Sequence, residues 1–157
     1  AREVRKTVED FPGVEGAYDL VLNNYGPDTW NGSIHIEVPD TYTADKLDQI
    51  IRDIQLEVYF KHQIVLTAIG VYSINTQDPH VIAMHKKLKD IVFAHQYVTQ
   101  LHGFYVDKDK KSIRFDVVIS LDADDRLKIF DEVVKDVESK FPEYEIEAFP
   151  DVDFTGV

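Results

Sequence analysis

Apolar and polar positions follow two rhythms along this chain, and each rhythm occurs twice. Ile34, Ile36 and Val38 alternate with His35 and Glu37. Period-two alternation of this kind predicts a strand with one buried face. It pairs as a hairpin with Ala17 to Asn23. Leu101 to Asp107 and Ser112 to Leu121 predict a second hairpin. Leu47, Ile50, Ile51, Ile54 and Val58 recur at three- and four-residue spacing, as do Leu127, Phe130, Val133, Val134, Val137 and Phe141. Each set predicts an amphipathic helix. A helix over Glu3 to Asp10 precedes the first hairpin. A helix from Asp78-Pro79 to Ala94 precedes the second, with Asp78 as N-cap, Pro79 as first helical residue, and Leu88, Ile91 and Val92 as its apolar stripe. Strands over Ile64 to Ser73 and Tyr144 to Phe149 close the two series.

The two series are copies. Ser33-Ile34-His35-Ile36-Glu37-Val38 resembles Ser112-Ile113-Arg114-Phe115-Asp116-Val117, 79 positions on. Val14 to Asn23 matches Val98 to Asp107 at 84 positions, which puts a five-residue difference in the hairpin turn. Ile50-Ile51, Ile54 and Val58 match Ile129-Phe130, Val133 and Val137, again at 79. An internal repeat of this kind sets the architecture. The expected fold class is α+β: two tandem ferredoxin-like αββαβ units, residues 1–77 and 78–157, each with helices on one face of a three-stranded antiparallel sheet. Asn75-Thr76-Gln77-Asp78-Pro79 is the short polar linker.

Composition narrows the function. The 157 residues carry 17 Lys plus Arg against 29 Asp plus Glu, a formal charge of −12. That charge repels nucleic-acid backbones and anionic lipid headgroups, so neither is an expected partner. There is no cysteine, which removes disulfides, thiolate metal sites and cysteine nucleophiles. No apolar run reaches the ~18–20 residues of a membrane span. The start, Ala1-Arg2-Glu3-Val4 without an initiator Met, reads as a soluble piece of something larger. No GxSxG elbow and no glycine-rich phosphate loop is present, so an enzyme is not expected.

His35 and Glu37 share the strand face opposite Ile34 and Ile36, and Asp19 joins them if it lies on the neighbouring strand with Val21. One imidazole with two carboxylates suits a borderline divalent cation such as zinc or manganese. The same residues equally describe the solvated polar face of a half-covered sheet. His62, His80, His85, His95 and His102 show no HxxxH spacing. Asp122-Ala123-Asp124-Asp125 lacks the glycine and distant glutamate of a calcium loop and reads as a helix N-cap. Asp107 to Lys111 reads as a solvated turn, the acidic tail from Pro142 as a solvated edge strand, and Trp30 as an interface anchor or a residue folded back on its turn.

One resemblance is specific. Phe11-Pro12-Gly13-Val14, Ala17-Tyr18-Asp19-Leu20, Tyr25-Gly26-Pro27 and Ile34-His35-Ile36-Glu37-Val38-Pro39 occur in order. Together they resemble the C-terminal cytoplasmic domain of cation diffusion facilitator transporters. The match covers the first copy to about residue 79, and the second resembles an appended, diverged version. The resemblance implies a homodimer of metallochaperone-like domains on the cytoplasmic side of the cell membrane, attached to the transmembrane domain of the same full-length chain. It also implies that the full-length protein exports zinc, manganese or iron in exchange for protons, and that Zn2+ or Mn2+ binding to this domain tightens the dimer.

Carried over residue by residue, the family's "HDL" histidine is Tyr18 here while the aspartate is kept as Asp19, and the second-strand histidine is kept as His35. A helix histidine of some members falls at about Asp48, and a late-strand histidine near Tyr72. In copy two His102 takes the "HDL" position, Gly103 follows it, and Arg114 replaces the strand histidine. The resemblance therefore implies an oxygen-rich ligand set of Asp19, His35 and Asp48, with Glu37 and His102 as further candidates. The alternatives are a constitutive dimerisation module of the same fold without a metal site, and a free-standing ferredoxin-like binding protein.

Overall fold

The computed structural model describes residues 1–153. The chain forms two compact units, and Ala1–Ile74 lies in the first. The first contains α1 (Arg2–Glu9), β1 (Gly16–Asn24), β2 (Trp30–Pro39), α2 (Ala44–His62) and β3 (Ile64–Ile74). The second, Asn75–Val152, contains α3 (Pro79–Phe93), β4 (Val98–Asp107), β5 (Ser112–Ile119), α4 (Arg126–Lys140) and β6 (Glu145–Asp151). The fold class is α+β, with two αββαβ units in tandem. Among the described residues no helix is long and apolar enough to cross a membrane.

The sheets run β1-β2-β3 and β4-β5-β6. They are mixed, not antiparallel throughout as expected: β1 pairs with β2 and β4 with β5 antiparallel, but β3 joins β2 and β6 joins β5 in parallel. The reason is the helix between the paired strands. A long crossover such as α2 returns the chain to the end where β2 began, so the next strand must run the same way.

Burial follows the two rhythms. In the first unit Ile34, Ile36 and Val38 of β2 pack with Ile54 and Val58 of α2 and with Val4 and Val8 of α1. In the second, Ile113, Phe115 and Val117 of β5 pack with Leu88 and Val92 of α3 and with Val133 and Val137 of α4. Both helices of a unit thus lie on one side of its sheet. Asp78 caps α3 by accepting from the His80 and Val81 amides, and Lys108 joins it. Asp125 caps α4 through the Lys128 amide, which settles the Asp122–Asp125 run as a helix start.

His85 of α3 stacks on Phe104 of β4, with centroids 4.4 Å apart and planes 12° from parallel. Burial in this contact, helped by the nearby Lys89 charge, holds the imidazole down to about 4. Because the folded state disfavours the proton, the contact contributes fully above the ordinary value of 6.5 and is lost as pH falls towards 4. With screening of the partly exposed ring, a loss of about 1–2 kcal/mol is expected over that interval. Urea titrations at several pH values should show it, and His85→Gln should flatten it. A wild-type curve with the same slope as the variant would remove His85 as the source.

Candidate metal centre

β1 carries a bulge. Tyr18 lies opposite His35 and Val21 opposite Ser33, so Asp19 and Leu20 together face Ile34. Asp19 has φ 56°, a left-handed conformation that aspartate tolerates and most residues do not. The extra residue lets consecutive side chains diverge: Leu20 is buried in the helix-side core, and Asp19 reaches the other face, where His35 stands.

There Asp19 meets two groups. The Tyr72 hydroxyl donates to Asp19 Oδ2 at 2.5 Å, and His35 Nδ1 lies 3.2 Å from the same oxygen. The Tyr72 ring stacks on the His35 imidazole at 4.6 Å and 17°. Gly70, the register neighbour of His35 on β3, makes the space for that ring: a Cβ at Gly70 would sit 2.2 Å from His35 Cδ2. Each strand of the sheet therefore supplies one member of an Asp–His–Tyr cluster. A divalent cation taken up here would compete with the Tyr72 hydroxyl and the imidazole for the Asp19 carboxylate. One carboxylate and one imidazole fit a borderline cation, with the remaining positions open to water or to other donors.

The other candidates fall differently. Glu37 is on β2 opposite Gly16 and beside Tyr72 in register. Its charge acts on Tyr18, whose phenol is pushed up to about 12, first by burial and then by Glu37, with Arg5 opposing. Asp48 is carried by α2, the helix that packs on the Ile34 and Ile36 side of the sheet, and forms an exposed ion pair with Arg52 at 3.8 Å. The structure does not gather it with His35. His62 bonds Thr7 at 2.8 Å and His95 bonds Asp136 at 2.8 Å.

His102 belongs to the second unit's own sheet. Its side chain is fully buried, with Nδ1 3.5 Å from Asp116 Oδ2 and Nε2 3.5 Å from Asp151 Oδ2. β4 repeats the bulge of β1: His102 faces Asp116, Tyr105 faces Arg114, and Gly103 and Phe104 share Phe115. Gly103, at φ 65°, takes the backbone position of Asp19. By pairing register, Asp116 and not Arg114 occupies the place of His35, and Asp151 occupies that of Tyr72. Arg114 instead lies across from Tyr105, its guanidinium 5.1 Å from the ring centre. The sequence match between Ser33 and Ser112 is two residues out of structural register. A slip of two preserves the inside–outside alternation, so periodicity cannot detect it. The hairpin turn differs by three residues, not five.

No protein-family model and no curated protein sequence matches this chain. Similar solved structures exist. One is described as the metal-bound C-terminal domain of the CzcD transporter from Thermotoga maritima, with 17% identity, a TM-score of 0.43, and coverage of 48% of this chain and 88% of that one. Another is a MamM CTD variant, with 20% identity, a TM-score of 0.40, and coverage of 48% and 90%. A third is a MamM CTD variant in its nickel form, with 20% identity, a TM-score of 0.40, and coverage of 48% and 94%.

Proposed function

We propose that this chain is the regulatory and dimerisation domain of a divalent-cation efflux transporter, placed on the cytoplasmic side of the membrane and sensing Zn2+ or Mn2+ through Asp19 and His35. The observation that carries it is the Asp19–His35 pair, held at 3.2 Å on the two strands that bear the cation-diffusion-facilitator-like sequence pieces. Export itself, coupled to protons, belongs to the membrane part of the full-length protein, and the domain is not an enzyme. Its role is to shift a population between a looser and a tighter dimer, by no more than the metal's difference in affinity for the two states.

The test is calorimetric titration of the metal-stripped protein with zinc and with manganese, with small-angle scattering on the same samples. Saturable heat and compaction are expected for wild type. Both should be lost in His35→Ala and reduced at least about tenfold in affinity in Asp19→Asn. A wild-type response in His35→Ala would remove this site.

A second reading has its own support. Phenols stand at two positions, Tyr18 and Tyr72, where the resemblance implies histidine, and Asp48 sits on the opposite layer. On that reading the domain is a constitutive dimerisation module. Equal hydrodynamic size with metal and with chelator, and no heat, would favour it.

A further inference from the structure

The second unit holds a groove between α3 and the end of α4, with a volume of about 430 Å³. That is within the ~300–1,000 Å³ range of small-molecule sites. Met84 and Phe141 line it, although they are themselves only 5% and 6% exposed, and half-buried Tyr144 lines it with them. The Phe141 and Tyr144 rings meet edge to face, with centroids 6.4 Å apart and planes at 87°. Two rings and a thioether make a wall suited to a flat aromatic body.

One cation is fixed beside that wall. Lys87 of α3 donates from Nζ to the Lys140 carbonyl at 2.8 Å, and the same Nζ lies 4.5 Å from the centre of the Phe141 ring. The carbonyl belongs to the last turn of α4, where a donor from outside the helix is needed. The contact uses one of the three N–H donors of the ammonium. Among the described residues Lys87 forms no ion pair with a carboxylate. The other lysine on the wall, Lys140, is paired with Asp136. Glu143 is the carboxylate that lines the groove, and His80 is its remaining ionisable group.

The fold does not demand this arrangement. Val4 and Val8 of α1 correspond to Leu88 and Val92 of α3, which puts Glu3 at the place of Lys87. Val58 of α2 corresponds to Val137 of α4, which puts His62 at the place of Phe141. The first unit builds the same αββαβ fold with the charge reversed and the phenyl ring absent.

We propose that this groove binds a small aromatic carboxylate. Its ring lies against Phe141, Tyr144 and Met84, and its carboxylate accepts from the Lys87 ammonium. A charge-assisted bond of this kind is short and strong. The carbonyl and ring contacts already hold the lysine, so little side-chain freedom remains to be lost on binding. Asp19 and His35 take no part, so the proposal stands apart from the metal reading.

The test uses the single methionine of the chain. Labelling with carbon-13-methyl methionine gives one methyl resonance, that of Met84 in the groove. Titration with β-naphthoate should shift it saturably. The neutral amide of the same acid should bind at least about tenfold more weakly, for want of the charge-assisted bond. Lys87→Gln should bring the acid down to the level of the amide and leave the amide unchanged. Glu143→Gln should tighten the acid by removing a like charge. Circular dichroism checks that the variants are folded, and the comparison of acid with amide on wild type needs no variant. No saturable shift at millimolar β-naphthoate, equal affinity for acid and amide, or wild-type affinity for the acid in folded Lys87→Gln would each overturn the proposal.

Discussion

Phe115→Ala is expected to lower the unfolding free energy by about 3–5 kcal/mol, the usual cost of emptying an aromatic site in a packed core. Phe115 is the largest fully buried side chain among the described residues. It stands in the middle of β5, among Leu88 and Val92 from one helix and Val133 and Val137 from the other, so no single neighbour can move in to fill the space. Domains of this size are stable by about 5–15 kcal/mol in total, so the loss is a large fraction of what is available. Urea denaturation followed by circular dichroism should show a midpoint about 1–3 M lower, given ordinary denaturant slopes. A loss below about 1 kcal/mol would mean that Phe115 does not pack against α3 and α4.

Gly70→Ala should separate the site from the fold. The added methyl would meet His35 Cδ2 at 2.2 Å and Nε2 at 2.3 Å, both on the outer end of a side chain and not on backbone. The imidazole can rotate away, so the fold should lose no more than about 1–3 kcal/mol. It cannot rotate away and keep both its stack on Tyr72 and its approach to Asp19. Metal affinity should therefore fall about 10–100-fold, the usual effect of disturbing the groups that orient a ligand. Calorimetry and a thermal melt on the same preparation check both parts. Unchanged affinity with His35 displaced would mean that the orientation of this imidazole does not matter to binding.

The sequence carried the architecture well where burial alone decides it. The stripe from Leu47 to Val58, the alternation from Ile34 to Val38 and the Asp78-Pro79 helix start all appear at their expected places. Strand direction was not legible, because period-two alternation is the same in parallel and antiparallel neighbours. Nor was the two-residue slip between the copies, for the same reason, and with it went Asp116 and Asp151 as neighbours of His102. Asp48 was placed by position along a helix, which says nothing about the layer that the helix covers. Alternation does put Asp19 and His35 on one face, but it gives no sign that Tyr72, at the place of a family histidine, is the residue that contacts both of them. The bulge that makes this contact offers a faint sequence signal: a glycine, Gly103, at the matching position of the second copy.

That pair of positions sets a cost on keeping the carboxylate. At φ 56° a non-glycine residue is strained by about 1 kcal/mol or more, and the second copy has released that strain by using glycine at φ 65°. Selection for robustness alone would push the first copy the same way, and the most stabilising exchange at this point of β1 is also the one that removes the acid. Keeping the carboxylate at Asp19 therefore carries a backbone cost, against which stand its contacts with Tyr72 and His35.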